Sequence, residues 1–271
     1  MYLGRCTILC GVADVGYVVL MTVSKTSAID LIIPARNEQA TIAQLLKSLP
    51  ESSFRHIILV DNGSTDQTAR IAAEQGARVV TEPRPGYGNA CLAGVRAIAL
   101  DESPPPRAVA FLDADLADDP QQLPGLIAPI LADQADLVIG CRSILAQRGA
   151  LHPHQRLGNA LACSLIRLTT GVAYRDLGPM RVIRWRSLRR LRMRDRTWGW
   201  TVEMQFKAAR LGMRIRQIDV PYRRRQGGVS KISGNLITSL RAGVRIIVTI
   251  GLLWLTIPQR RPRDVGSVDV R

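Results

Sequence analysis

Apolar residues along this chain recur in two alternating rhythms. Short, mostly apolar runs at Ile29 to Ile33, His56 to Val60, Arg78 to Thr81, Ala108 to Leu112 and Asp136 to Gly140 have the length and bounding turns of buried strands. Between them the spacing of Ile42, Leu45, Leu46 and Leu49 predicts a helix over Thr41 to Leu49. A second helix, capped by Thr65 or Asp66, runs to about Gln75, and a third opens at Gly86-Tyr87-Gly88 and reaches Leu100. Strands alternating with helices predict an α/β fold, a three-layer sandwich around a mostly parallel sheet. In such a sheet the C-terminal strand ends share one edge, where ligands bind.

Both ends of the chain break the rhythm. Residues 1–27 form an apolar leader interrupted by Arg5 and Asp14. Its longest uncharged stretch, Val15 to Ser24, is shorter than the roughly 20 residues a bilayer span requires. A signal peptide, an interfacial segment and an upstream start codon with Met21 as the initiator all fit, so the leader is set apart from the domain expected over 28–235. Leu236 to Ile257 is apolar again, but Arg241 and Arg245 leave only 12 uncharged residues from 246 to 257. A basic amphipathic helix lying in a membrane interface fits this pattern better than a span. A basic tail, 258–271, follows.

Charge divides the chain in two. Residues 1–140 carry 10 Lys/Arg against 16 Asp/Glu, whereas 141–271 carry 27 against 6. The acidic half is suited to a metal and the basic half to something anionic. A pI of about 10.7 raises nucleic-acid binding, but the basic half lacks interleaved aromatics and any nucleic-acid motif. Eight arginines lie between 181 and 196, a density suited either to a solvated helix face or to anionic lipid headgroups. The five scattered cysteines contain no Cys-x-x-Cys pair, which suggests neither zinc nor a disulfide framework and is consistent with a reduced, intracellular compartment.

The chemistry gathers where strands end. Ala108 to Leu112 runs straight into Asp113-Ala114-Asp115, two hard oxygen ligands at the sheet edge that read either as a metal site holding a diphosphate or as a turn and helix cap. Pro34-Ala35-Arg36-Asn37-Glu38 and Asp61-Asn62 end the neighbouring strands, placing Glu38 and Asp61 to accept hydrogen bonds from a base or ribose. No Walker sequence is present and Gly86-x-Gly88 lacks a third glycine, so ATP hydrolysis and hydride transfer are poorly supported. Glu203 reads either as a general base for a hydroxyl acceptor or as a first-turn carboxylate complementing a helix dipole. His152 and His154 flank Pro153 without a third metal-ligating partner.

Taken together, Ile-Ile-Pro-Ala-Arg-Asn-Glu, Val-Asp-Asn-Gly-Ser-Thr-Asp, Gly-Tyr-Gly-Asn-Ala and Asp-Ala-Asp-Leu resemble, in this order and spacing, the family 2 glycosyltransferases. Gly140-Cys-Arg142, Arg156-Leu-Gly-Asn159, Asp176-Leu-Gly-Pro-Met-Arg181 and Gly228-Val-Ser-Lys231 narrow the resemblance to the dolichyl-phosphate mannosyltransferase-like branch. It covers about residues 29 to 232 and implies a nucleotide-diphospho-sugar (GT-A) fold. The implied activity is inverting transfer of a sugar from a nucleoside-diphosphate sugar to a polyprenyl phosphate at the cytosolic membrane face. A soluble phosphorylated acceptor such as a phosphoglycerate is the alternative. By the same resemblance Pro34, Ala35, Glu38, Asp61 and Asn62 match the nucleoside pocket, and Asp113, Ala114 and Asp115 the motif for Mg²⁺ or Mn²⁺ and diphosphate, with Asp115 catalytic. Arg142, Arg156 and Lys231 match basic residues that grip phosphate. Arg225 precedes a Gly227-Gly228 loop able to close over it. Asn62 stands where many relatives carry aspartate, and Ala117 where some carry glutamine. The Gln-x-x-Arg-Trp motif of processive synthases is absent.

Overall fold

A computed structural model describes residues 28–51, 53–225 and 247–257. Seven strands form one mixed sheet in the order β3-β2-β1-β4-β6-β5-β7. They are β1 (Ile29–Ala35), β2 (His56–Asp61), β3 (Arg78–Thr81), β4 (Ala108–Phe111), β5 (Leu137–Cys141), β6 (Arg181–Arg184) and β7 (Ile215–Asp219). The first four pair in parallel, as the alternating pattern predicts; β6 lies antiparallel between β4 and β5. Strand β7 then returns to the parallel direction beside β5. Near-continuous apolar runs are what a sheet covered on both faces requires, and β1, β4 and β5 are buried along almost their whole length.

Two hydrophobic layers cover the sheet. On one face α1 (Ile42–Lys47), α2 (Thr68–Glu74) and α4 (Leu123–Leu131) pack Ile42, Leu45, Ala72, Leu126 and Ile130 with strand residues Leu31, Ile33 and Leu59. On the other, α3 (Tyr87–Ala99), α5 (Pro153–Thr170), α6 (Trp185–Leu191) and α7 (Trp200–Arg210) bury Cys91, Ile166, Leu188, Met204 and Phe206 with Ile32 and Phe111. Each fully buried Leu, Ile or Phe contributes about 1.5–3 kcal/mol relative to exposure. Residues 247–256 form a further helix beside α7. Its Ile250 is buried, and Arg210 Nη2 donates to Trp254 O at 3.1 Å.

Two strands, β6 and β7, lay hidden in the sequence. The arginine-rich stretch is not one solvated helix face: Arg181 and Arg184 sit in β6, 1% and 8% exposed. Arg184 donates to the carbonyls of Ala135 and Ile130 and pairs with Asp133 and Asp136, so its charge is neutralised inside the sheet. Arg186, Arg189, Arg190, Arg192, Arg194 and Arg196 are exposed, as expected. The N-cap of α2 is Gln67 rather than the predicted Thr65 or Asp66, and Asp66, one residue before it, accepts from the Thr68 backbone N–H at 3.0 Å.

Candidate active site

The β1, β2 and β4 ends converge because parallel neighbours deliver their C-termini to one edge. Ala35 is in register with Asp61, and the Asn62 backbone N–H donates to Ala35 O at 2.8 Å. The loops beyond are stitched together by side chains. Asn37, in the left-handed region at φ 54°, accepts from the Thr65 N–H at 2.8 Å, and Glu38 N–H donates to Thr68 Oγ1 at 2.8 Å. Thr41 Oγ1 donates to Ala114 O at 2.8 Å, tying the start of α1 to the Asp113-Ala114-Asp115 turn. Pro34, Ala35, Glu38, Asp61, Asn62, Asp113, Ala114 and Asp115 therefore line one edge.

Asn62 has a structural duty there. Its Nδ2 donates to Glu82 O (2.9 Å) and Arg84 O (2.7 Å), and its Oδ1 accepts from Gly86 N–H (2.8 Å). An aspartate could not supply those two donors, which explains the amide at this position. It clamps the loop that leads into α3, whose glycines serve close approach rather than dinucleotide binding. A Cβ on Gly86 or Gly88 would overlap the backbone of Asp195 and Arg196, and Gly88 N–H donates to Thr197 O at 3.1 Å.

The turn after β4 holds three carboxylates of different character. Asp113 is half-buried, yet its Oδ1 is enclosed and has no hydrogen-bond partner. Burial first, then the neighbouring charge of Asp115, raise its pKa to about 7, while a hydrogen bond with Tyr87 opposes the rise. Asp115 accepts from Ala117 N–H (Oδ1, 3.0 Å) and from Arg225 Nε (Oδ2, 3.0 Å). Asp118, 2% exposed, has neither carboxyl oxygen hydrogen-bonded, and burial pushes its pKa well up. Among the described residues no group of three or more His, Cys, Asp or Glu side chains could hold a metal. An enclosed, partnerless carboxylate oxygen beside a second carboxylate does fit a divalent cation that draws its other ligands from phosphate and water, as Mg²⁺ prefers.

The predicted basic grip is only partly assembled. Arg225 reaches the carboxylates, with its Nη2 3.5 Å from Glu38 Oε1 as well as its bond to Asp115. Arg142 lies within electrostatic reach of Asp113 and Asp118 and is paired with Asp176: its Nε and Nη2 donate to Asp176 at 2.9 Å each, and its guanidinium lies 5.0 Å from the Tyr222 ring centre. Arg156 sits exposed in the first turn of α5, and Lys231 lies outside the described residues. Glu203 is 2% exposed; it accepts from the backbone N–H groups of Arg194 (2.9 Å) and Asp195 (2.7 Å) and pairs with Lys207 at 2.5 Å. It lies in the wall of a separate groove of about 710 Å³ between α7 and the 247–256 helix. His152 and His154 stack on each other at the start of α5, their ring centres 5.4 Å apart.

Three residues here escape pattern reading. Tyr87 hydrogen-bonds Asp113 from the Gly86-x-Gly88 motif. Arg181 donates to the carbonyls of Leu177, Gly178, Pro179 and Thr201, and burial pulls its pKa down. Asp176 holds Arg142 and is itself kept below the usual carboxylate range by that guanidinium, against the cost of burial. The signal for Tyr87, as for Asp118, is adjacency to a motif. Arg181 and Asp176 end the Asp176-Leu-Gly-Pro-Met-Arg181 segment, which carried the resemblance without assigning either side chain a role.

Comparison with known proteins gives the family. The model of glycosyl transferase family 2 matches residues 30–214. An uncharacterized glycosyltransferase of Mycobacterium tuberculosis is 39% identical over 216 residues, covering 79% of this chain and 94% of the relative. The undecaprenyl-phosphate mannosyltransferase of Micrococcus luteus is 31% identical over 221 residues, covering 76% and 88%. In fold the chain is similar to glucosyl-3-phosphoglycerate synthase from Mycobacterium tuberculosis, solved with Mn²⁺, UDP and glucosyl-3-phosphoglycerate, at a TM-score of 0.66 and 24% identity over 86% of this chain and 84% of that one. The seven-stranded sheet with helices on both faces is thus a GT-A-like fold, and the chain, a glycosyltransferase, belongs to glycosyl transferase family 2.

Proposed function

We propose that the protein moves a sugar, with inversion, from a nucleoside-diphosphate sugar to a polyprenyl phosphate at a membrane surface, with Mg²⁺ or Mn²⁺ at Asp113 and Asp115. The carrying observation is the pair of carboxylates at the end of β4, one with an enclosed and partnerless oxygen, facing Glu38 and Asp61 across the same edge. Glu38, Asp61 and the backbone of Pro34 and Ala35 hold the nucleoside. A bound divalent cation neutralises the departing diphosphate. An oxygen of the acceptor phosphate forms the new bond to the anomeric carbon, and the bond to the donor diphosphate breaks with its electron pair leaving on the nucleotide. That oxygen is already ionised, so no side-chain base is required. The occupation of Glu203 by Lys207 and two backbone N–H groups agrees with this.

Three features support a lipid acceptor over a soluble one. Exposed Ile247, Val248, Leu252, Trp254 and Leu255 give the C-terminal helix an apolar outer face. Exposed Arg190, Arg192 and Arg194 rim the groove beside it, a pairing suited to anionic headgroups over hydrocarbon. The Micrococcus relative carries undecaprenyl phosphate in its name. No helix among the described residues is long and apolar enough to cross a membrane. The second reading, a soluble phosphorylated acceptor, is favoured by the likeness to glucosyl-3-phosphoglycerate synthase.

A thermal-shift screen of UDP-, GDP- and dTDP-sugars with Mn²⁺ or Mg²⁺ identifies the donor, because binding raises apparent stability by mass action. With that donor, polyprenyl phosphate is expected to accept sugar and 3-phosphoglycerate is not; the reverse outcome selects the second reading. Asp113→Ala and Asp115→Ala are each expected to abolish metal-dependent donor turnover while unfolding cooperatively. Wild-type turnover by both defeats the assignment.

A further inference from the structure

We infer that Arg225 is the counter-cation that an incoming metal ion displaces, so that this side chain sets the affinity of the site for free metal and makes the metal–diphosphate complex, rather than the bare ion, the preferred entrant. The inference rests on the metal assignment above and concerns what holds the site before the donor arrives. Asp113, Asp115 and Glu38 bring three carboxylates to one strand edge. Such a cluster is unfavourable without a cation. Arg225 answers two of them at once, with Nε 3.0 Å from Asp115 Oδ2 and Nη2 3.5 Å from Glu38 Oε1. With Oδ1 of Asp115 accepting from Ala117 N–H, both oxygens of that carboxylate are engaged.

The two engagements differ in what they can release. Ala117 N–H belongs to the turn itself and stays with it. Arg225 comes from the segment after β7, 110 residues along the chain, and its side chain is 28% exposed. The backbone leading to it is pinned: Arg223 N–H donates to Ala117 O at 2.8 Å, Arg223 Nη2 pairs with Asp119 at 3.2 Å, and Tyr222 bridges to Asp118. The guanidinium is therefore the part that moves, while its anchor keeps it at the site. A divalent cation on Asp115 Oδ2 and a guanidinium on the same oxygen repel each other, so one excludes the other. A diphosphate changes the sign of the coupling, because a displaced guanidinium then gains phosphate oxygens in the bidentate geometry it favours.

The linkage makes a crossed prediction that a merely structural arginine does not. Free Mn²⁺ binding is measured by the electron paramagnetic resonance of the unbound ion, and binding of manganese pyrophosphate by calorimetry; neither needs donor sugar, acceptor or turnover. Arg225→Gln is expected to bind Mn²⁺ alone on the order of tenfold more tightly than the wild type, and manganese pyrophosphate more weakly by a similar factor. Arg225→Lys, which keeps the charge but loses the fork, is expected to fall between them and serves if the glutamine variant does not unfold cooperatively in urea. Mn²⁺ binding by both variants no tighter than by the wild type overturns the inference. That result leaves the metal assignment standing if Asp113→Ala abolishes Mn²⁺ binding. If the wild type and Asp113→Ala bind Mn²⁺ alike, the metal assignment fails, and this inference with it.

Discussion

At the scale of single residues the site divides into groups that are free to meet a ligand and groups already committed to the fold. Glu203 is the clearest committed case. It neutralises Lys207 and caps two backbone N–H groups of the 194–195 turn, the turn against which α3 seats its glycines. Its loss would leave a buried ammonium unpaired. Glu203→Gln is expected to lower stability by about 3 kcal/mol in urea unfolding, with turnover kept within severalfold. A variant with native stability and no turnover would restore Glu203 as a base. Arg142 is committed in the same way, through its two bonds to Asp176. Both residues carry the right chemistry for a site; Glu203 gives it to Lys207 one helical turn on, and Arg142 gives it to an aspartate 34 residues away.

At the scale of elements the connection from β3 to α3 shapes the proposed nucleoside side of the edge. Glu82 is buried there, and Arg84 donates to its carboxylate through Nε and Nη2 at 2.8 Å each. That hydrogen bonding outweighs burial and brings the Glu82 pKa down to about 2 from an ordinary 4.5. A carboxyl more acidic in the folded than in the unfolded chain stabilises the fold above its unfolded pKa, and the stabilisation is lost as pH falls from about 4.5 towards 2. Glu82→Gln is therefore expected to show a shallower loss of stability on acidification, read from urea midpoints between neutral pH and about pH 3. An unchanged acid limb would show that Arg84 does not hold Glu82 in solution. The same connection explains Asn62, whose amide holds Glu82 and Arg84 by their carbonyls and so places the opening of α3.

At the scale of the whole molecule, the basic half of the chain sends Arg225 to the acidic edge and presents other arginines elsewhere. The acidic edge belongs to β1, β2 and β4, whereas exposed arginines and the apolar outer face of the 247–256 helix gather around α6 and α7. Sedimentation with vesicles is expected to retain the protein when they contain phosphatidylglycerol and to release it as salt rises, since screening weakens headgroup attraction. Leu252→Asp with Leu255→Asp is expected to cut that binding, because both side chains are more than half exposed and the fold does not depend on them. Equal binding by wild type and double variant would remove this helix from the membrane contact.

Sequence by itself determined the class of fold and the edge where chemistry gathers. Apolar runs, turn residues and helical spacing are local properties, so β1 to β5, α1 to α3 and the Asp113-Ala114-Asp115 turn were legible from neighbours a few residues apart. The leader, Lys231 and the first half of the predicted C-terminal helix lie outside the described residues. What only the tertiary structure decided was partnership. Asp176 takes Arg142 across 34 residues, Arg225 reaches Asp115 across 110, and β6 enters the sheet antiparallel with Arg181 and Arg184 buried, against a pattern that reads as solvated helix. The physical reason is that a charge or a hydrogen bond is worth most where water is excluded, and which groups meet there depends on how the strands are ordered in the sheet.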